Sequence, residues 1–292
     1  MSTLYLNRYR VLNDTAGAAI VLDRNSAGAT YRAENIETGQ AVALRIIDVD
    51  PAAQEEAEHD AAAAQQITHL NIPAVYDCAV ENHRLICASE LVDGTTAEEW
   101  VTAHGPMPIG AGLRIALQVV NALGAATFHG LVRRSINPHD ILLVPGQTAE
   151  GEWPLIKVTN FTDLTPADAA SAAEETARRF ASPEQQLGSV VDFRSQIYSL
   201  GATLGFLLTA AVPAGAAAVH GSGLPKAAAQ LLAQMLATEP SERPQDPLAF
   251  QEQIRQCLIQ VERREAIGRR LGIPVTPAQA VAATERSPSV LL

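Results

Sequence analysis

Leu131-Val132-Arg133-Arg134-Ser135-Ile136-Asn137-Pro138-His139-Asp140-Ile141-Leu142-Leu143 is the stretch on which the reading of this chain turns. It is a polar turn around Asn137-Pro138 that opens into a short apolar run, Ile141 to Val144. Leu155 to Val158 repeats that character, so the two runs read as a small β pair. Upstream, Ile109 to His129 carries Leu113, Leu117, Val120 and Leu123 at helical spacing. Downstream, Thr162 to Arg179 is polar and without period and reads as a loop. Helices then follow at about Gln196–Thr209, Pro225–Ala237 and Pro247–Ile267.

Further out on the N-terminal side the pattern changes to strands. Ala18 to Leu22, Ala29 to Ala33, Ala41 to Ile47, Ala74 to Val80 and Arg84 to Val92 are strand-like. Asn35-Ile36-Glu37-Thr38-Gly39 supplies turn chemistry between the second and third. Pro51 to Thr68 reads as a helix, with Pro at its start and acids in its first turns. Ala97 to His104 reads as a short helix. A strand-rich part followed by a helical part predicts an α+β fold.

Composition agrees with a folded chain. Of 292 residues, 47% are apolar, enough for a sizeable core, and only 4% are aromatic, so aliphatics and Ala must fill it. The net charge of −11 disfavours nucleic acid and anionic membranes as partners. Three cysteines, Cys78, Cys87 and Cys257, lack metal-ligand spacing, and their odd number argues against a disulfide framework. Unpaired thiols and a cytoplasmic setting are therefore expected. Tyr198 to Val219 is uncharged and long enough to cross a bilayer, but its glycines, Ser, Thr and Pro213 read as a buried helix ending near Thr209.

Set beside these elements, six short motifs resemble the eukaryotic-type Ser/Thr protein kinases of bacteria, over about Tyr9 to Leu258. Val42-Ala43-Leu44-Arg45 resembles V-A-I-K. The stretch quoted first resembles the catalytic loop H-R-D-L-K-P-x-N. Asn160-Phe161-Thr162 stands in place of D-F-G, and Ser182-Pro183-Glu184 in place of A-P-E. Ser195 to Gly201 resembles the start of the buried large-lobe helix. Pro240-Ser241-Glu242-Arg243-Pro244 resembles the segment whose Arg pairs with the A-P-E Glu. The resemblance implies a bilobal fold, with an N-lobe at 1–92 and a C-lobe at 93–262, and the Pro/Ala/Ser character beyond Leu271 suggests a flexible tail, set at 263–292. It also implies an ion pair between Glu184 and Arg243, and a packing role for Phe161.

The resemblance fails where phosphoryl transfer needs it. The Gly-rich loop becomes Asp23-Arg24-Asn25-Ser26-Ala27-Gly28, where side chains at Asp23 and Asn25 impede close approach of phosphate and the Asp23 carboxylate repels it. Gly17 offers an alternative register but does not by itself rebuild the motif. The strand Lys is Arg45, a forked cation and no simple substitute, in a chain with only two lysines. Asp60, with Glu56 and Glu58 as neighbours, stands where its helix carboxylate belongs. Glu90 and Val92 fall at the lobe junction, where the resemblance implies nucleotide contacts.

The catalytic Asp is Ser135, whose hydroxyl cannot accept a proton as a carboxylate does; such a loss costs ~10²–10⁴ in rate. The loop Lys is Asn137. The main metal ligand is Asn160, and Asp140 replaces the second ligand, so the two residue types are exchanged. The resulting expectation is a pseudokinase, a regulatory or scaffold protein that binds a protein partner, either an active kinase or a phospho-binding domain. No cofactor, nucleic acid or membrane span is expected. The alternative is a divergent ATP-dependent Ser/Thr kinase or other phosphate transferase using Asp140 for Mg²⁺. Thr162, Thr165, Ser171 and Thr176 are candidate phosphosites in a segment that also reads as a plain polar loop.

Overall fold

The computed structural model describes residues 3–24, 28–131, 135–144, 155–160 and 178–272. Seven antiparallel strands form the first sheet: β1 (Leu4–Tyr5), β2 (Tyr9–Val11), β3 (Val21–Arg24), β4 (Gly28–Asn35), β5 (Ala41–Asp48), β6 (Val75–Glu81) and β7 (Arg84–Glu90). Their order is β1-β2-β4-β5-β7-β6, and β3 pairs with the first half of β4. Alternation along β5 decides its faces. Val42 and Leu44 pack with Leu6, Tyr9, Ala33 and Ile86 on one side. Ala43 and Arg45 point the other way, into the space between the lobes. Helix α1 (Gln54–Gln66) follows a single 3-10 turn, Pro51–Ala53, capped by Asp50. Its Ala57 and Ala61 pack on Ile47, Val49 and Leu85.

The second half is helical. Around one large core lie α2 (Ala97–His104), α3 (Ile109–Phe128), α4 (Pro183–Gln186), α5 (Phe193–Thr209), α6 (Ala216–Val219), α7 (Lys226–Met235) and α8 (Pro247–Arg270). Leu113, Leu123, Ile136, Leu200, Leu204, Leu232 and Phe250 are fully or almost fully buried there. A small sheet, β8 (Thr95–Thr96), β9 (Ile141–Val144) and β10 (Leu155–Val158), lies beside it in the order β10-β9-β8. Local chemistry sets several helix starts. Thr96 and Glu99 form a capping box for α2, Ser182 and Gln185 one for α4, and Asp192 and Ser195 one for α5.

Two expectations change. Cys78 and Cys87 are buried, directly opposed across β6 and β7, and joined as a disulfide, which leaves Cys257 as the free, buried thiol. Counting cysteines could not reveal this, because the hairpin register brings the two together. The final helix, read as Pro247–Ile267, runs to Arg270 as α8, so the first eight residues assigned to the tail are helical. Among the described residues, the helix long and apolar enough to cross a bilayer is α3, and it is mostly buried in the C-lobe core. The stretch from Tyr198 is, as expected, part of a buried helix that ends at Thr209; the chain breaks at Ala210, where φ is +57°, and Pro213 folds back over Gly205.

Candidate active-site cleft

The catalytic-loop counterpart is held from below by α5. Ser199 Oγ accepts the Ile136 N–H at 3.0 Å, and Thr203 Oγ1 donates to the Ile136 carbonyl at 2.8 Å. Both partners are main-chain groups of Ile136, so this particular attachment does not depend on the side chains flanking it. Ser135 is half-buried at the start of this segment. Asn137 turns inward: its Oδ1 accepts the N–H groups of His139 (2.9 Å) and Asp140 (3.2 Å), capping a 3-10 turn at Pro138–Asp140. A side chain that could face a transferring phosphoryl group is spent on the backbone.

Asp140 and Asn160 meet across the ends of β9 and β10. Asp140 is 3% exposed, and its Oδ1 accepts the Asn160 Nδ2 at 2.9 Å. Thr159 holds the Asp140 carbonyl through both its N–H and its hydroxyl. Asn160 has φ +61°, a left-handed conformation in which Asn is among the tolerated residues. The amide orientation follows from chemistry. Turned over, it would set two oxygen acceptors against each other.

The opposite wall comes from β3 and β5. Arg45, 7% exposed, donates to Thr30 Oγ1 at 3.3 Å and lies 3.6 Å from Asp23 Oδ2. The other oxygen, Asp23 Oδ1, is 3.0 Å from His139 Nε2 on the catalytic-loop side. His139 Nδ1 in turn lies 3.9 Å from Glu98 Oε2. The hydrogen bond to Asp23 pushes the His139 imidazole up to about 9 against the opposing effect of burial, and Asp140 and Glu98 add to the rise. The same hydrogen bond holds the Asp23 carboxyl below its ordinary range. Asp23 thus bridges the two lobes. Sequence reasoning identified it only as a repulsive group and missed His139, whose relevance appears when the lobes close on each other.

Between these walls is a cavity of about 300 Å³. Leu22, Ala43, Val75, Leu142 and Val158 line it, with Ser89, Glu90 and Val92 at the lobe junction. Lys157 Nζ contacts Glu90 Oε2 at 2.6 Å, and that oxygen also accepts the Ala74 N–H at 3.2 Å. Gly28, expected to serve phosphate, has a different constraint: a Cβ there would lie 2.0 Å from the Ile46 carbonyl oxygen. The close pairing of β4 on β5 demands this glycine. Asp60 lies on α1, its Oδ1 3.9 Å from His59 Nδ1. Asn25, Arg133, Arg134, Phe161, Thr162, Thr165, Ser171 and Thr176 lie outside the described residues.

Below the cleft, Arg243 Nη1 and Nη2 donate to the two oxygens of Glu184 at 2.6 and 2.9 Å. Arg243 also donates to the carbonyls of Ala237, Thr238 and Arg194, and its guanidinium sits 5.0 Å from the Tyr198 ring centroid. Burial raises the Glu184 carboxyl, but hydrogen bonds from Arg243 and Ser195 outweigh it and bring the group to about 2.

The family model described as "Protein kinase domain" matches residues 24–258. This chain belongs to the protein kinase family. Among its relatives is the serine/threonine-protein kinase PrkC of Bacillus subtilis, 30% identical over 214 residues, which are 70% of this chain and 31% of PrkC. The serine/threonine-protein kinase Pkn1 of Myxococcus xanthus is 31% identical over 228 residues, 75% of this chain and 31% of Pkn1. The matched region therefore spans about a third of each relative. The crystal structure of Rad53 1-466 in complex with AMP-PNP superposes with a TM-score of 0.65 at 17% identity, covering 86% of this chain and 64% of that one. It confirms the fold: a β-sheet N-lobe over a helical C-lobe.

The kinase family implies a nucleotide with Mg²⁺, and the residues of this kinase-family cleft do not fit that group. Mg²⁺ demands hard oxygen ligands in near-octahedral array. Here the Asn160 amide presents a hydrogen to Asp140 and occupies one of its oxygens. A second carboxylate, Asp23, stands against the buried cation Arg45.

Proposed function

We propose that this protein kinase-family chain does not transfer phosphate and acts as a regulatory or scaffold protein through a protein partner, either an active kinase or a phospho-binding domain. The observation that carries this reading is the 2.9 Å hydrogen bond from Asn160 to Asp140. It ties one oxygen of the Asp140 carboxylate to the side chain at the other metal-ligand position. Ser135 supports it by leaving no carboxylate at the position of the proton acceptor. The retained Glu184–Arg243 frame supports a role that needs the shape of the fold.

The test is a radiolabel transfer assay on the purified chain with ATP and Mg²⁺ or Mn²⁺, using itself and generic protein substrates. No incorporation is expected. Metal-dependent incorporation that disappears in Asp140→Ala would overturn the reading and establish the alternative, a divergent kinase with Asp140 as its metal ligand.

A further inference from the structure

We propose that Cys78 and Cys87 form a reversible redox switch: small thiols entering the inter-lobe cavity open the bond at Cys87, and its state sets how firmly α1 is held on the first sheet. The inference goes beyond the reading of the chain as inactive and does not depend on it.

The hairpin that contains the bond has its register without it. The two cysteines are nine positions apart, and β6 and β7 pair from Cys78 and Cys87 to Glu81 and Arg84, around a turn with positive φ at Asn82 and His83. That turn and those pairs already fix the register. What the bond adds is a link between two neighbourhoods. Arg45, Cys87 and Cys78 stand directly opposite one another on β5, β7 and β6, so their side chains share one face of the sheet. Cys87 lines the 300 Å³ cavity together with Arg45. Cys78 is tied to α1, whose Gln65 Nε2 donates to the Cys78 carbonyl at 2.8 Å. Ala57 and Ala61 of α1 belong to the same apolar cluster as both cysteines.

The cysteines are 4% and 6% exposed, so the cavity is the approach that the fold leaves to a small reagent. A small thiolate attacks Cys87 Sγ from that side, the bond between the two cysteines breaks, and Cys78 leaves as a thiolate on the far side. A second small thiolate attacks the outer sulfur of the mixed disulfide and releases Cys87. Two small thiols thereby become one small disulfide, and the protein gains two electrons and two protons. A small disulfide closes the pair by the reverse steps. Arg45, directly opposite Cys87 and buried, is a cation of the kind that favours thiolate at this position.

Opening replaces one bond by two thiols that must stand at non-bonded distance on a close-packed face. Helix α1 is the element that yields. Its buried residues are all alanines, Ala57, Ala61, Ala63 and Ala64, so its hold on the sheet rests on small contacts and on Gln65. Few apolar contacts mark an element that opens locally.

The experiment takes the full chain, without denaturant, through glutathione buffers from oxidised to reduced. Free thiols are counted by acid quench, alkylation and mass spectrometry, and hydrogen exchange of Gln54–Gln66 is read in the same samples. Cys78 and Cys87 should open and close reversibly across the series. In the open form the α1 amides should exchange at least about tenfold faster. Cys87→Ser should exchange at the open-form rate in every buffer, and Cys78→Ser takes its place if Cys87→Ser folds poorly. Cys257→Ser should respond like the parent chain. 2-Mercaptoethanol should open the bond at least about tenfold faster than a thiol-terminated polyethylene glycol too large for the cavity. The proposal is overturned if the bond resists glutathione until the chain unfolds, or if both cysteines stay as thiols in the oxidised buffer. It is equally overturned if α1 exchanges alike in both states, or if the large thiol reacts as fast as the small one.

Discussion

Arg243 holds Glu184 through two parallel hydrogen bonds of 2.6 and 2.9 Å, and nothing of the arginine side chain reaches solvent. A planar fork on a carboxylate, with three carbonyls and a tyrosine ring taking the rest of the guanidinium, leaves no spare capacity. Removing either partner strands a charge in the C-lobe.

Arg243→Ala should therefore cost ~3–5 kcal/mol of unfolding free energy, the usual penalty for breaking a buried pair. Urea denaturation followed by circular dichroism would measure it. Part of the loss should return in Arg243→Ala/Glu184→Ala, because the second change removes the stranded carboxylate. A double variant as unstable as the sum of the singles would mean that the two residues act independently.

The same pair sets an acid limit. Glu184 titrates near 2 in the folded chain, against an ordinary 4.5. A depressed carboxyl contributes stability that is fully present above 4.5 and is lost as the pH falls toward 2. That contribution is roughly 3 kcal/mol. Between pH 4.5 and 2 the parent chain should lose melting temperature more steeply than Glu184→Gln, which has no such group to protonate.

His139 behaves in the opposite sense. Its folded value, about 9, lies above the ordinary 6.5, so the contribution of the inter-lobe contact is complete below 6.5 and is lost as the pH rises through 9. The charged groups facing it are Asp23, Asp140 and Glu98. The stability gap between the parent chain and His139→Gln should be widest near pH 6 and close by pH 10. A gap unchanged over that range would show that the contact does not rely on the imidazolium.

Gly28→Ala should destabilise the N-lobe by more than about 1 kcal/mol, because the added methyl meets the Ile46 carbonyl at 2.0 Å and the backbone must move. The loss should appear in thermal melts without any nucleotide. A variant as stable as the parent would return Gly28 to a ligand-binding role.

Much of this was readable from residue order. Ala97–His104, Ile141–Val144 and Leu155–Val158 have the same limits in the structure as in the sequence reading, because capping residues, Pro and apolar runs are local signals. Glu184 and Arg243 were legible as a pair through the motifs that carry them. The Asp23–His139 contact spans 116 residues of chain and exists only once the lobes face each other. Lys157–Glu90 and Cys78–Cys87 likewise depend on strand placement and register, which no spacing rule reports. Arg45 shows the same limit: its position was clear, but its bond to β3 was not.

The attachment of Ile136 to Ser199 and Thr203 has a consequence for the tolerance of the loop to substitution. Two hydroxyls on one helix grip only amide groups, which every residue carries. The backbone attachment at Ile136 therefore does not depend on which side chain stands beside it at position 135. A change of side chain at position 135 can alter the chemistry available there while the loop keeps its course.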